Sequence, residues 1–255
     1  MNFLTATHTD VGIKKKTNQD SLLVLQAQTD YGNVLLAVVC DGMGGLSKGE
    51  TASASVIHAF SDWFQKEFPT ILYAGLHPDT LRSSWEQLVT NANKRIGEYG
   101  DRCGTNLGTT CVAILIVENI YYIINVGDSR VYLISDNLYQ LTKDQTYVQR
   151  EIDAHRMTYE QALRDPQRNV LLQCIGASDY VQPDFFTGTL TVNQCIMLCS
   201  DGFRHVIDPR EIYQVLMPAA ATDVQSMRQG LIQLTELNKQ RMETDNISAI
   251  LIRTY

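Results

Sequence analysis

Three uninterrupted apolar runs, each meeting an aspartate at one end, constrain this chain more than any other feature. Val34-Leu35-Leu36-Ala37-Val38-Val39-Cys40 leads into Asp41, Cys195-Ile196-Met197-Leu198-Cys199 leads through Ser200 into Asp201, and the run 247–252 follows Asp245 and Asn246. Runs of that length and continuity predict buried strands. A carboxylate at a strand end is held rigidly and can still face a cleft. If three such carboxylates converge, their repulsion calls for cations between them. Donors made only of oxygen favour Mg²⁺ or Mn²⁺ over zinc. Each motif alone also has a plainer reading. Asp41-Gly42-Met43-Gly44-Gly45 is a Gly-rich turn, and Asp-Gly and Asp-Asn are ordinary turn pairs.

The rest of the pattern predicts how the runs are connected. Strands are expected at 3–7, 21–27 and 33–40, with Asp30-Tyr31-Gly32-Asn33 as the turn between the last two. Ser47-Lys48-Gly49-Glu50 reads as a capping box opening a helix through about residue 68, and Asp79 as the cap of a second helix stopping near Gly100. Strands at 109–117, 120–126, 130–135 and 138–141 follow. Glu118-Asn119 and Asp136-Asn137 are links short enough for hairpins, which makes these strands antiparallel. Residues 144–174 read as helix and loop, with a second box at Thr158-x-x-Gln161. Strands near 184–190 and 195–199, a helix opened by Asp208-Pro209-Arg210-Glu211, a long helix at 224–241 and a strand at 247–253 complete the chain. Hairpin-paired strands with long helices inserted between groups predict an α+β fold of antiparallel sheets covered by helices. No repeat, low-complexity tract or linker interrupts the 255 residues, which predicts one domain over 1–255.

Composition narrows the function classes. A net charge of −7 leaves no basic face for a nucleic-acid backbone. No apolar run approaches a membrane span, and no charged start followed by a long apolar core marks a leader. Six cysteines without a Cys-x-x-Cys pair, several inside strands (Cys40, Cys111, Cys199), fit reduced core thiols in a cytoplasmic protein.

Two more stretches carry chemistry. Thr9-Asp10-Val11-Gly12-Ile13-Lys14-Lys15-Lys16-Thr17-Asn18-Gln19-Asp20 sets a cationic cluster beside an acid that opens a strand, where phosphate and metal functions could meet; its plain reading is a solvated loop. Gly127-Asp128-Ser129-Arg130 lies between two strands, and its plain reading is a polar turn.

Taken in order, Thr9 to Asp20, Asp41 to Gly45, Gly108-Thr109-Thr110, Asn125-Val126-Gly127-Asp128-Ser129-Arg130, Cys199-Ser200-Asp201-Gly202 and Thr244-Asp245-Asn246-Ile247-Ser248 resemble the motifs of the metal-dependent PPM/PP2C protein serine/threonine phosphatases of bacterial type. The resemblance covers nearly the whole chain. It implies a central β-sandwich of two antiparallel sheets flanked by α-helices, in four α-β-β-α layers, with a two-metal site at one edge. It assigns Asp41, Asp201 and Asp245 as core metal ligands, the Gly42 carbonyl as another, Asp20 near the second metal and Asp128 to a third, weaker one. It makes Lys15 and Asp41 the catalytic candidates and implies a variable flap over 150–168. Three positions depart from the family pattern. Its phosphate-gripping arginine falls on Lys15, a point charge without the two-pronged geometry of a guanidinium. Its glutamate before the metal aspartate is Gln19, and the histidine that animal members carry is Met43, which cannot be a general acid.

The implied reaction is hydrolysis of phosphoserine or phosphothreonine by a bridging, metal-activated water, with two tight Mn²⁺ or Mg²⁺ ions. The partners implied are phosphorylated proteins, substrates of a cognate kinase, met by a monomer. No cysteine has an arginine six positions on, and no Asp-x-Asp occurs, so neither covalent phosphatase chemistry has its signature. The alternatives are a phosphoprotein-binding module with weak catalysis and a hydrolase of small phosphate esters.

Overall fold

Residues 1–44 and 48–255 are described in a computed structural model, and the central apolar runs are strands whose two faces are both buried. In β3 (Gly32–Gly44), Leu35, Ala37 and Val39 face one side while Val34, Leu36, Val38 and Cys40 face the other. That is the period of two expected of a strand, and burial on both sides explains why the run is continuous rather than alternating.

β3 pairs antiparallel with β2 (Asp20–Thr29) and β5 (Cys111–Val117); β6 (Ile120–Val126) and β9 (Asp184–Thr189) complete the row, and β4 (Leu107–Thr109) pairs with the end of β3. The second sheet has the order β1 (Phe3–Asp10), β11 (Ile247–Thr254), β10 (Cys195–Cys199), β7 (Arg130–Ile134), β8 (Leu138–Gln140). Every pairing is antiparallel.

The sheets meet through Leu35, Val112, Ile114, Ile196, Leu198 and Ile250, all fully buried. The outer face of the first sheet packs on α1 (Gly49–Lys66) and α3 (Pro78–Cys103) through Phe60, Trp63 and Trp85. The outer face of the second packs on α7 (Pro209–Leu216) and α8 (Val224–Gln240) through Ile212, Leu231 and Leu234. Each such side chain contributes roughly 1.5–3 kcal/mol by leaving water. The four-layer α-β-β-α order expected from the resemblance is the observed one. Among the described residues, no helix is long and apolar enough to cross a membrane.

Local differences have local causes. α1 starts at Gly49 after Lys48, which caps it without a side-chain bond; Ser47, expected as the capping residue, and Gly45 lie outside the described residues. His77, not Asp79, stands at the N-cap of α3, with Pro78 supplying the first turn and Asp79 only an acidic charge within it. α3 runs past Gly100 to Cys103, where left-handed Gly104 (φ 61°) ends it. Gly100 lies inside the helix, and close packing rather than capping accounts for the glycine: a side chain there would press on the Thr105 carbonyl. A short helix, α2 (Phe68–Tyr73), was not expected. The strand expected over 109–117 is divided at Thr110, whose N–H leaves the ladder to donate to the Asp41 carbonyl at 2.8 Å. The box at Thr158/Gln161 forms as expected, opening α5 (Tyr159–Ala162), and α7 opens at Pro209 as expected, with Asp208 and Glu211 forming a box of their own.

Candidate functional site

The β2–β3 register sets Asp20 directly opposite Asp41. Opposed carboxylates on neighbouring strands stand close and repel. The Asp41 backbone is clamped: its N–H donates to Thr110 Oγ1 (3.0 Å), and its carbonyl accepts from Thr109 Oγ1 (2.9 Å) as well as from the Thr110 N–H. Gly108-Thr109-Thr110 is therefore the mount of Asp41. Gly42 sits where a side chain would strike the Gly49 and Gln19 carbonyls, and its own carbonyl packs against Gly49 at the start of α1.

Asp201 does not end a strand; it opens the short α6 (Asp201–Arg204) directly after β10. Gly202 lets that turn approach the Asp245–Asn246 backbone, since a Cβ would lie 2.2 Å from the Asn246 carbonyl oxygen. Asp245 is held from behind by Glu243, whose Oε1 accepts from the Thr244 and Asp245 N–H groups at 2.7 and 3.0 Å. Asn246 fastens the basic loop. Its Nδ2 donates to the Val11 and Thr17 carbonyls (2.9 and 3.2 Å), and its Oδ1 accepts from the Gln19 N–H (2.9 Å).

The four carboxylates feel one another. Burial, then Asp20, Asp201, Asp245 and Asp128, push Asp41 well above the ordinary carboxylate range. Burial first, with Asp201 and Asp245 adding and the Ser200 hydroxyl opposing, raises Asp20 to about 6. Ser200 Oγ donates to Asp20 Oδ2 at 3.0 Å. Asp201 is raised by burial and Asp245, against the pull of Arg204 and a hydrogen bond with Asp41. Among the described residues, Asp20 Oδ1 and Asp201 Oδ1 are buried without a hydrogen-bond partner. A buried carboxylate oxygen left unpartnered costs free energy that a hard cation would recover. The donor set therefore fits a divalent metal, although among the described residues no three acidic, His or Cys side chains already surround one point as a closed metal site.

The cation that reaches this cluster is Lys15. Its Nζ lies 2.8 Å from Asp245 Oδ1, with both side chains part-exposed. Burial opposes its charge, but Asp245, Asp41 and Asp201 together raise its pKa. The structure thus gives Lys15 a carboxylate partner, while Lys14 and Lys16 are exposed as a solvated face would be.

Asp128 lies one step away. It follows Gly127 (φ 99°) between β6 and β7 and lines the same cleft of about 590 Å³ as Asp201. Its neighbour is a part-buried arginine that belongs to none of the motifs. Arg204 Nη2 donates to the Asp128 carbonyl (2.8 Å) and lies 3.5 Å from Asp128 Oδ2 and 3.4 Å from Asp144 Oδ2. Burial and Asp201 nonetheless raise Asp128 to about 7. Asp144 is gripped at both oxygens by Arg130 at 2.7 and 2.6 Å. The only sequence signal for Arg204 is its place on the first turn after Asp201. Gln19 is a structural residue: it is buried, and its carbonyl accepts from the Gly42 N–H (3.2 Å) and Ser53 Oγ (2.6 Å). Met43 continues β3 opposite Gly108. Five of the six free cysteines are buried, and burial pushes the Cys199 thiol up to about 12, which leaves no activated thiolate there.

The chain is similar in sequence and in fold to known proteins. A sequence profile described as protein phosphatase 2C matches residues 11–240. The serine/threonine phosphatase stp of Listeria welshimeri is 30% identical over 247 residues, 96% of this chain and 93% of its own. The Streptococcus agalactiae serine/threonine phosphatase superposes with a TM-score of 0.84 at 28% identity, over the full length of both chains. The catalytic domain of the phosphatase PstP, solved with two manganese ions, does so with a TM-score of 0.79 at 26% identity, covering 98% of this chain and 97% of that one. Extent of match and sandwich topology agree: this chain belongs to the protein phosphatase 2C family.

Proposed function

We propose that residues 1–255 form one catalytic domain that hydrolyses phosphoserine and phosphothreonine on proteins, with Asp20, Asp41, Asp201, Asp245 and the Gly42 carbonyl holding two Mn²⁺ or Mg²⁺ ions. The observation that carries this reading is the convergence of four carboxylates, two of them with a buried, unpartnered oxygen, in a member of this family. When bound, the cations supply an activated water and offset the charge on the phosphoryl oxygens. The chain's own residues do the rest. Asp41 and Asp20, whose carboxyl pKa values burial and neighbouring carboxylates raise, would lose any bound proton on holding a cation. Asp245 would hold a cation in place of the Lys15 ammonium. The ammonium, held over the site by the Asn246-fastened loop, is then free to meet the substrate phosphate. Asp128, already beside Arg204, is suited only to a weak third cation. No side chain need act as nucleophile, which agrees with the buried Cys199 thiol, held undissociated by burial. We place the enzyme in the cytoplasm as a monomer acting on substrates of a cognate kinase, with no nucleic acid or membrane as partner.

The test is phosphate release from phosphothreonine, phosphoserine and phosphotyrosine peptides, with a nucleotide and an aryl phosphate as comparators, in Mn²⁺ and in EDTA. Mn²⁺-dependent turnover of the first two peptides is expected. Faster turnover of nucleotide than of any peptide would favour a small-ester hydrolase, and binding without turnover would favour a phosphoprotein-binding module.

A further inference from the structure

Glu243 is a buried acid just before Asp245, and it belongs to none of the motifs that carry the metal-ligand candidates. The end of α8 places it. Met242 turns the chain there in the left-handed region (φ 64°), and the Glu243 N–H donates back to the Asn238 carbonyl at 3.0 Å.

Both of its carboxylate oxygens are engaged. Oε1 accepts from the Thr244 and Asp245 N–H groups, and Oε2 lies 3.0 Å from His205 Nδ1. The other ring nitrogen, Nε2, lies 3.4 Å from Nε of Arg168, in the segment that follows α4 (Tyr147–Asp153) and α5. A guanidinium only donates, so Nε2 accepts and the ring proton sits on Nδ1, where it is given to Glu243. With Oε1 taken by two donors and Oε2 by a third, Glu243 is a mount for Asp245 rather than one more metal ligand.

His205 stands at the C-terminal end of α6, the helix that Asp201 opens. The bond to Glu243 therefore closes a path between two ligand candidates: from Asp201 along α6 to His205, then through Glu243 to the Asp245 backbone. Two more bonds tie the same elements. Asn238 Nδ2 donates to the Phe203 carbonyl (2.8 Å), and Arg241 Nη1 to the Val206 carbonyl (3.0 Å). Asp245 is among the charges that raise Asp201, so the two segments repel one another before a cation arrives. A tie between the segments holds the two carboxylates at one spacing.

We propose that Glu243, anchored by His205, is a positioning residue of the metal site: it holds Asp245 in place relative to Asp201 and so raises the affinity for the cation that Asp245 serves. The inference rests on the metal-site reading above and adds two residues that touch neither cation nor substrate.

The experiment titrates the metal-stripped full chain with Mn²⁺ in a calorimeter, beside Glu243→Ala, His205→Ala and the double variant, and follows thermal unfolding of each in EDTA. The unmodified chain should bind two ions tightly. In Glu243→Ala one of them should bind about tenfold more weakly. His205→Ala should weaken the same ion by less, and the double variant should bind it no more weakly than Glu243→Ala, because His205 acts only through Glu243. Glu243→Gln keeps an oxygen for the two N–H groups and should recover most of the affinity. A lowered Tm with unchanged Mn²⁺ affinity in Glu243→Ala would make the pair merely structural and overturn the inference, leaving the metal site intact. Losses that add in the double variant would overturn the path through His205. Should Glu243→Ala fail to fold, His205→Ala decides: weaker Mn²⁺ binding supports the inference, and unchanged binding overturns it. An unmodified chain that takes up no Mn²⁺ would overturn the metal-site reading, and the inference with it.

Discussion

Asp20→Asn separates the electrostatic burden of the carboxylate cluster from its function. In the metal-free protein Asp20 is buried, carries an unpartnered oxygen and has its pKa raised from 3.8 to about 6. A raised acid contributes stability that is fully present below its unfolded pKa and lost as pH rises through the folded one. For Asp20 the loss falls between about pH 4 and pH 6. At about 1.4 kcal/mol per pH unit it amounts to about 3 kcal/mol. Asparagine has the same shape and never ionises, so it escapes that loss. It also weakens the bond from Ser200 Oγ from charge-assisted to neutral, which costs about 1 kcal/mol. The net expectation is a gain of about 2 kcal/mol above pH 7, or roughly 4–8 °C in Tm for a chain of this size. At about pH 3 or below, where Asp20 is mostly protonated in both states, the gain should vanish. Thermal unfolding in EDTA at both pH values measures it. With Mn²⁺ the order should reverse, because the unmodified chain gains the linkage energy of a bound cation and the variant gains less. An Asp20→Asn protein less stable than its parent in EDTA at pH 7.5, or offset equally at both pH values, would refute the reasoning.

Other perturbations follow from the same geometry. Asp201→Asn and Asp245→Asn should each abolish most Mn²⁺-dependent phosphate release, and full activity of either would remove that residue from the ligand set. Lys15→Ala should change metal-free stability by less than about 1 kcal/mol, because the Lys15–Asp245 pair is part-exposed. The same change should lower phosphopeptide kcat/KM by an amount worth roughly 1.5–3 kcal/mol, well beyond Lys14→Ala or Lys16→Ala; equal small effects at all three would make the cluster a solvated face. Arg204→Leu leaves Asp128 buried beside Asp201 without its cation and should cost about 3–5 kcal/mol in denaturant unfolding; an unchanged midpoint would show that the pair is not structural.

The sheet layout was legible in the sequence because both faces of β3, β5, β10 and β11 are buried, and burial of that kind writes itself as unbroken apolar runs. The ordered motifs likewise brought Asp20, Asp41, Asp201 and Asp245 to one place, each mounted where its strand or turn begins or ends. What escaped depends on partners distant in sequence. The break at Thr110 exists because Asp41, 69 positions earlier, accepts its N–H at the carbonyl and donates its own N–H to the Thr110 hydroxyl. Arg204 shows its role only once α6 turns it towards Asp128 and Asp144. Helix ends were misplaced where a proline or a buried glycine outweighed the capping pattern, as at Pro78 and Gly100. The pairing of Lys15 with Asp245 needs the loop 11–19 to be drawn in by Asn246, a long-range bond that no local pattern announces.

The most direct measurement is calorimetric titration of the metal-stripped chain with Mn²⁺ alone, beside Asp41→Asn, Asp201→Asn and Asp128→Ala. Two tight ions per chain are expected for the unmodified protein. That count should fall in Asp41→Asn and Asp201→Asn and stay at two in Asp128→Ala. An unmodified chain that takes up no Mn²⁺, or variants at Asp41 and Asp201 that bind as many ions as tightly, would contradict a metal centre built on these carboxylates.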